Sequence, residues 1–486
     1  TLVRFGAGTE ERLTAGGRYG GRISDTASGR LYLTYDDHAG NELADSGADA
    51  HDSWQPAQGG FRLDGNPDAS REWTLQGDLV HNDGDQILSP YWQDRPPFLA
   101  AVRDQVEVRG GNLLGRFRQE VGADSAFTVK TYYDRKDRDE RYFRFEFDTF
   151  DADLQYETRM GSRNSLTLGT GYRAVRGEFD QEMFQARLPN GTDHLYSGFL
   201  QDELTLLADR LWLTAGAKYE HNDFTGSEWQ PSAQLLWQPA ERHSLWTKTA
   251  RAVRTPTILE QRGRLVVGVY PGAEGVQAAR LLGSERFESE VVNAYETGYR
   301  WRATDRLSFD LAVFHNVYDE LYSITPVPGP AGYDFLFGNE MTGDSDGIEL
   351  AVDWKAASWL SSLDIPVHHI KAMLVRSHFD AMTISVPDAP AADHGDLRGR
   401  EEPAQSAVHP ADDRVLMLVH RRHVDIAEFG PDAEGAVVAG AAAEQVVAGP
   451  AVDPVVPAAA LDAEALGLGA GGRHGRREVL GCHGDR

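Results

Sequence analysis

From Leu2 to Trp354, hydrophobic and polar residues alternate with a period of two, segment after segment. That is the period of a strand with one face covered. Over residues 211–221, Leu211, Leu213, Ala215, Ala217 and Tyr219 interleave with Trp212, Thr214, Gly216, Lys218 and Glu220. Leu307, Phe309, Leu311 and Val313 interleave with Ser308, Asp310 and Ala312 in the same way. Phe143, Phe145 and Phe147 alternate with Arg144, Glu146 and Asp148, and the phase then slips at Thr149, which predicts a β-bulge. No run approaches the ~18 apolar residues of a membrane-spanning helix. The chain reads as all-β.

The connections carry further information. One set is short and polar, at 25–29, 65–71, 122–125, 161–164, 208–210, 239–243 and 303–306. The alternate set is often long, at 36–53, 82–104, 177–193 and 252–288. Short turns at every second connection place all of them at one end of an up-and-down meander, the layout of an antiparallel transmembrane β-barrel. Counting on this basis predicts about sixteen strands ending near Trp354, with residues 335–354 as one long kinked strand. Several strands exceed the ~9–11 residues that cross a bilayer and are expected to project beyond it as a wall. Trp73, Trp212, Trp237, Trp246 and Trp301 all fall close to short turns, as an interfacial aromatic girdle would. A soluble sandwich or propeller would show shorter strands and no such alternation of loops.

Composition divides the 486 residues in two. All ten Trp, all seventeen Tyr and eighteen of the twenty Phe precede residue 361. The remainder gathers nine of the sixteen His among Ala-, Val-, Gly- and Pro-rich stretches. We therefore expect a partial barrel over 1–360 and an aberrant, non-barrel tail over 361–486. Three readings of the tail stay open: a disordered extension, a separate helical domain, or a wrong-frame translation of GC-rich DNA, which 42 Arg to six Lys would fit. A net charge of −27 argues against nucleic acid as a partner. The single cysteine, Cys482, excludes a disulfide framework. Mean hydropathy of −0.46 does not weigh against a membrane barrel, whose lumen-facing half is polar. No phosphate-binding loop, dinucleotide fingerprint, Gly-x-Ser-x-Gly or His-Glu-x-x-His occurs, so no enzyme activity and no resident cofactor are expected. The paired glycines of AGGRYGG and RGGNLLG sit inside strand patterns, where they suit close approach.

The stretches YSGFLQDELTLLADRLWLTAGAKYEHN, WQPSAQLLWQPAERHSLWTKTARAVRTPTILEQ, ESEVVNAYETGYRWRATDRLSFDLAVFHNVYDELYSI and GIELAVDW together resemble the TonB-dependent outer-membrane receptors of Gram-negative bacteria. Arg254, Thr255 and Pro256 are similar to that family's Arg-x-Pro after the strand opening the seventh external loop. Pro256 also ends a strand on physical grounds, since it cannot donate to a ladder. The resemblance implies a roughly 22-stranded barrel closed by a plug, bacterial outer-membrane location, and energy-coupled uptake of a scarce nutrient. The ligand would be a ferric siderophore, or alternatively cobalamin, with the TonB complex pulling on the plug; a passive porin-like channel is the alternative outside this class. The chain starts at what resembles the first barrel strand and loses the resemblance after Trp359, so plug and last strands are expected to be missing. As written, the polypeptide is expected not to transport.

Candidate ligand contacts lie in the long connections. Tyr91, Trp92 and Arg95 share one, and an aromatic pair with an arginine suits an anionic, partly aromatic ferric chelate. The competing reading is an interfacial belt or loop packing. Arg262 and Arg264 in the seventh loop are similar candidates, against a solvated loop. Asp36, Asp37, Glu42, Asp45, Asp49 and Asp52 make an acidic connection that could offer oxygens to Ca²⁺, though the spacing matches no known calcium loop. His38 and His51 flank it and could ligate a metal or haem iron. In the tail, His368, His369, His420 and His423 suggest a metal only if the frame is correct.

Overall fold

The computed structural model describes residues 1–44, 46–88, 101–141, 143–180, 186–272, 275–330, 332–354, 368–379, 383–384 and 415–416. The strands are β1 (Leu2–Gly6), β2 (Glu11–Ser24), β3 (Ala27–His38), β4 (Trp54–Asp68), β5 (Arg71–Leu88), β6 (Val102–Glu120), β7 (Ser125–Glu140) and β8 (Phe143–Met160). They continue with β9 (Asn164–Phe179), β10 (Ala186–Arg187), β11 (Gly191–Leu207), β12 (Leu211–Asn222), β13 (Gly226–Ala240) and β14 (His243–Arg254). After α1 (Ile258–Arg262), the one helix among the described residues, come β15 (Arg264–Gly272), β16 (Gly275–Leu282), β17 (Glu290–Thr304), β18 (Leu307–Gly329), β19 (Gly332–Trp354) and β20 (His368–Phe379). The two-residue strands β21 (Thr383–Ile384) and β22 (Val415–Leu416) pair only with each other.

The larger sheet is an antiparallel meander from β1 to β20, as the period-two pattern implies. Among the described strands of this sheet, only β10, β15 and β16 stand outside it. They are inserted in the long connections and join through β10–β15, β15–β16 and a parallel pairing of β16 with β19. The short connections all lie at one end, as the alternation predicts. At the other end, however, β7 stops at Glu140 and β8 starts at Phe143, and residues 223–225 are a tight turn too. There the length went into the strands: β18 and β19 run 23 residues each, and β5–β6 pair continuously to Leu88↔Val102. Much of the 82–104 connection is therefore ladder. The pairing of β18 with β19 shifts register around Leu321, next to Glu320 with its φ of 55°.

Register assigns each residue to one of two faces. Leu79, Leu154, Leu200 and Val313 lie on an apolar face and are strongly exposed, Leu79 by 72%. A sheet face this apolar and this bare requires a non-aqueous partner. The opposite face carries cross-strand ion pairs, among them Arg118–Glu157 at 3.0 Å, Arg173–Asp151 at 2.8 Å and Lys248–Glu296 at 2.9 Å.

Two expectations need correction. The phase slip at Thr149 is not a bulge, because β7 and β8 keep one register from Ser125↔Thr158 to Glu140↔Phe143. What changes is the chemistry of each face with height. Arg144, Glu146 and Asp148 share a face with Phe150 and Leu154, and Tyr133 and Arg135 bond to Asp148 there. The apolar face thus becomes charged toward the long-loop end. On the other face Phe143, Phe145, Phe147 and Phe179 form a row of tilted and edge-on rings with centroids 5.2–5.4 Å apart. The second correction concerns residue 360. The sheet continues past it, since β20 pairs with β19 without a shift, from Trp354↔His368 to Gly343↔Phe379. Ile348, Leu350 and Val352 stand opposite Leu374, Ala372 and Ile370, so the period-two pattern persists where the aromatic content falls. Most of the remaining tail, including His420 and His423, lies outside the described residues.

Close strand approach gives a test of the packing. A Cβ on Gly77 would sit 2.7 Å from the Asn112 carbonyl oxygen, whereas one on Gly21 would meet nothing within 4 Å. Gly77→Ala is expected to destabilise by about 1–3 kcal/mol and Gly21→Ala by far less, measured by urea unfolding from detergent micelles. Equal effects would contradict the register.

Candidate functional site at the long-loop end

The most organised part of the long-loop end begins where Pro256 stops β14. Arg254, the last residue of β14, stands opposite Glu290 in β17. Its Nε donates to Glu290 at 2.6 Å, and its two terminal nitrogens donate to both carboxylate oxygens of Glu260 at 3.1 and 2.9 Å. Glu260 is placed by local sequence. Thr257 caps α1, its hydroxyl accepting from the Glu260 N–H, while the Glu260 carboxylate accepts the Thr257 N–H at 2.7 Å. This is a capping box, readable as Thr-x-x-Glu. The second oxygen of Glu290 accepts the Tyr322 N–H at 2.7 Å. A planar guanidinium with five donors is the side chain that can tie two carboxylates in fixed directions. Arg254 therefore joins β14, α1, β17 and β18.

Around this knot lies the buried hydrophobic cluster of the described residues: Leu281, Phe287 and Phe337, with Leu259, Leu265, Tyr322 and Ile324 against it. Phe287 meets Phe337 edge-on at 6.4 Å, and burying such a ring contributes about 2–3 kcal/mol. The buried Gln261 side chain donates to the carbonyls of Phe224 and Phe287 at 2.8 and 3.3 Å. The seventh connection is thus folded onto the sheet.

Arg262 and Arg264, two residues apart, have different fates. Arg262 lies over the Phe224 ring at 5.1 Å and pairs with Asp193 at 3.3 Å, which ties α1 to β11. Burial pushes the Asp193 carboxyl above its ordinary range, with Arg262 pulling against it. Arg264 faces Arg187 across the β10–β15 pairing, and its Nε is buried without a hydrogen-bond partner. Arg280, on β16, donates its backbone N–H and Nε to Asp334, each at 3.1 Å, and pairs with the second Asp334 oxygen.

Tyr91, Trp92 and Arg95 lie outside the described residues. The five girdle tryptophans divide between faces. Trp73, Trp237 and Trp301 belong to the apolar face. Trp212 and Trp246 stand either side of Leu236 on the polar face, where Lys248 lies 5.7 Å from the Trp246 ring. Nearness to a turn fixes height, while parity fixes face.

Among the described residues the acidic connection brings no three metal-ligating side chains together, although Glu42 pairs with Asp49 in a β-bridge. Asp36 accepts from Thr14 at 2.8 Å, Asp37 is 3.7 Å from Arg12, and Asp49 accepts the His51 N–H at 2.8 Å. Asp52 accepts from the side chain and backbone of Asn41 at 2.7 and 2.6 Å, bonds that hold its carboxyl below the usual range. His38 stacks on Trp54 at 4.0 Å. Asp45 is outside the described residues. Among the described residues one His–carboxylate group does come together elsewhere, His81 with Asp83 and Glu107, and Arg109 pairs with that glutamate.

A large antiparallel meander with one apolar and one polar face, short turns throughout one end and the folded loops confined to the other defines an outer-membrane-type β-sheet protein. A family model described as "TonB dependent receptor-like, beta-barrel" matches residues 5–383, and the chain belongs to that family. Over 136 residues it is 26% identical to the ferric enterobactin receptor of Pseudomonas aeruginosa, covering 27% of this chain and 18% of that protein. It is similar in fold to the siderophore receptor PirA of Pseudomonas aeruginosa, with TM-score 0.54 and 12% identity over 76% of this chain and 69% of that one. A mutant of the ferric enterobactin receptor PfeA from the same organism gives 0.56 and 14%, over 78% and 60%.

Sequence reasoning found Arg254 but not its purpose, since Glu290 lies 36 residues away. It found neither Arg187, Arg280 nor Asp334, which no local spacing joins. Arg254→Ala is expected to cost about 2–4 kcal/mol of local stability and to speed proteolysis within residues 255–289. Arg254→Lys should not restore resistance, because an ammonium cannot span both carboxylates. Unchanged cleavage in both variants would show that the knot does not hold the loop.

Proposed function

We propose that this chain is barrel-forming sequence of a bacterial outer-membrane receptor for energy-coupled uptake of a ferric siderophore. The observation that carries the reading is the receptor-family match across nearly the whole meander. The apolar face meets outer-membrane lipid, and the ion-paired face lines the aqueous path. TonB acts through the family's plug, which belongs to the receptor of which this sheet is the barrel part. The ferric chelate is suggested by the siderophore and enterobactin receptors to which the chain is similar and by the arginines at the long-loop end. Anionic oxygen donors around iron suit guanidinium forks. Arg264 is the seventh-loop candidate for contact with that ligand, together with Tyr91, Trp92 and Arg95, while Arg262 braces the loop. The reading assigns the chain no enzymatic step and no resident cofactor.

The chain alone binds but does not transport in this reading. Among the described residues β1 pairs only with β2 and β20 only with β19, and lipid does not tolerate unpaired sheet edges. The test is quenching of tryptophan fluorescence in the purified chain by a ferric catecholate, a ferric hydroxamate and cobalamin. Saturable quenching by a ferric chelate, reduced at least tenfold in affinity by Arg264→Ala (about 1.4 kcal/mol), is expected. Response to cobalamin alone, dependent on Ca²⁺, would replace this ligand with the alternative.

A further inference from the structure

We propose that Arg187, Arg264 and Arg280 form an oxyanion site, and that its occupant fastens β10 to β15. The β10–β15 pairing is two residues long, Ala186↔Leu265 and Arg187↔Arg264. Like charges directly opposite one another weaken a strand pair, and here they make up half of it. Arg280 stands opposite Val266 on the neighbouring strand, which brings a third guanidinium to the same place. The carboxylate facing them is Asp334, almost fully buried and already bonded to Arg280 through both oxygens. Among the described residues, three cations thus share one anion.

The imbalance is felt at Arg264. Burial pushes its guanidinium below the ordinary range, and Arg187 and Arg280 push it further. Its Nε is sealed from solvent and donates to nothing among the described residues. A buried charged donor left unpaired is costly. An oxygen-rich anion bridging the Arg187 and Arg264 guanidiniums converts repulsion between the strands into a shared attraction. The chemistry required is a multivalent oxyanion with two or more coplanar or tetrahedral oxygens, whether a phosphate group or the carboxylates of a chelator. The site shares Arg264 with the ligand contact of the uptake reading, but its test uses phosphate and citrate without iron, so the two can fail separately.

The consequence is mechanical. When the site is filled, the connection carrying β10 is tied to the seventh loop, and Arg254 ties that loop to the sheet. When it is empty, the two-residue pairing opens readily.

The experiment is hydrogen–deuterium exchange on the full chain in detergent micelles. Sodium phosphate and sodium citrate are compared with sodium chloride at equal ionic strength, following the amides of residues 186–187 and 264–265. Phosphate or citrate is expected to slow exchange about two- to fivefold, the factor that a cross-strand charge pair supplies. The oxyanion acting at lower concentration separates a phosphate group from a carboxylate-bearing chelator as the natural occupant. Arg187→Gln, an exposed position whose loss leaves the main meander intact, should exchange slowly in chloride alone and respond to neither oxyanion. Identical wild-type exchange in all three salts would overturn the proposal, as would an undiminished oxyanion response in Arg187→Gln.

Discussion

Everything in this molecule depends on the backbone hydrogen bonds of one continuous antiparallel meander. In a sheet with an apolar face left bare, each strand must find its donors and acceptors in its two neighbours, since no solvent on that face can supply them. The period-two pattern follows from the same constraint. One set of alternate residues must suit an apolar surrounding, and the other carries ion pairs such as Arg173–Asp151 across the strands. The ladder fixes the parity, and parity fixes the chemistry of each face.

Height adds a second variable. Toward the long-loop end the apolar face gives way to Arg144, Glu146 and Asp148, and hydrophobic residues appear on the other side as Phe143, Phe145 and Phe147. Beyond that level the sheet supports loops. Arg254 and its two glutamates hold the seventh connection against the strands, with Phe287 and Phe337 packed behind them. The connection is ordered by a charged knot and a small hydrophobic core, neither of which the meander itself requires. A rigid loop root is a scaffold on which a binding surface can be built.

The meander was legible in the sequence because period-two alternation is a local signal repeated many times. Its failures are instructive. At Thr149 the alternation inverted without any change of register, because the surroundings of the strand changed and the backbone did not. Trp212 and Trp246 were grouped with Trp237 by their distance from turns, although the alternation in residues 211–221 already placed Trp212 with Thr214 and Lys218. The continuation into β20 was hidden by a fall in aromatic content, while its hydrophobic periodicity was intact. At the candidate site, Thr257 and Glu260 were readable as a capping box, and Pro256 as a strand stop. The pairs Arg254–Glu290 and Arg280–Asp334 were not, since a contact between residues 36 or 54 positions apart leaves no trace in local spacing.

The central claim is that this sheet separates a lipid-facing side from a water-facing side. Nitroxide labels placed singly at residues 211–221 in reconstituted vesicles report it directly, through their collision rates with oxygen and with a water-soluble nickel chelate. The account expects a period-two profile, with oxygen maxima at Leu211, Leu213, Ala215, Ala217 and Tyr219 and nickel maxima at the residues between them. Uniform access to the nickel chelate along the whole segment would contradict it.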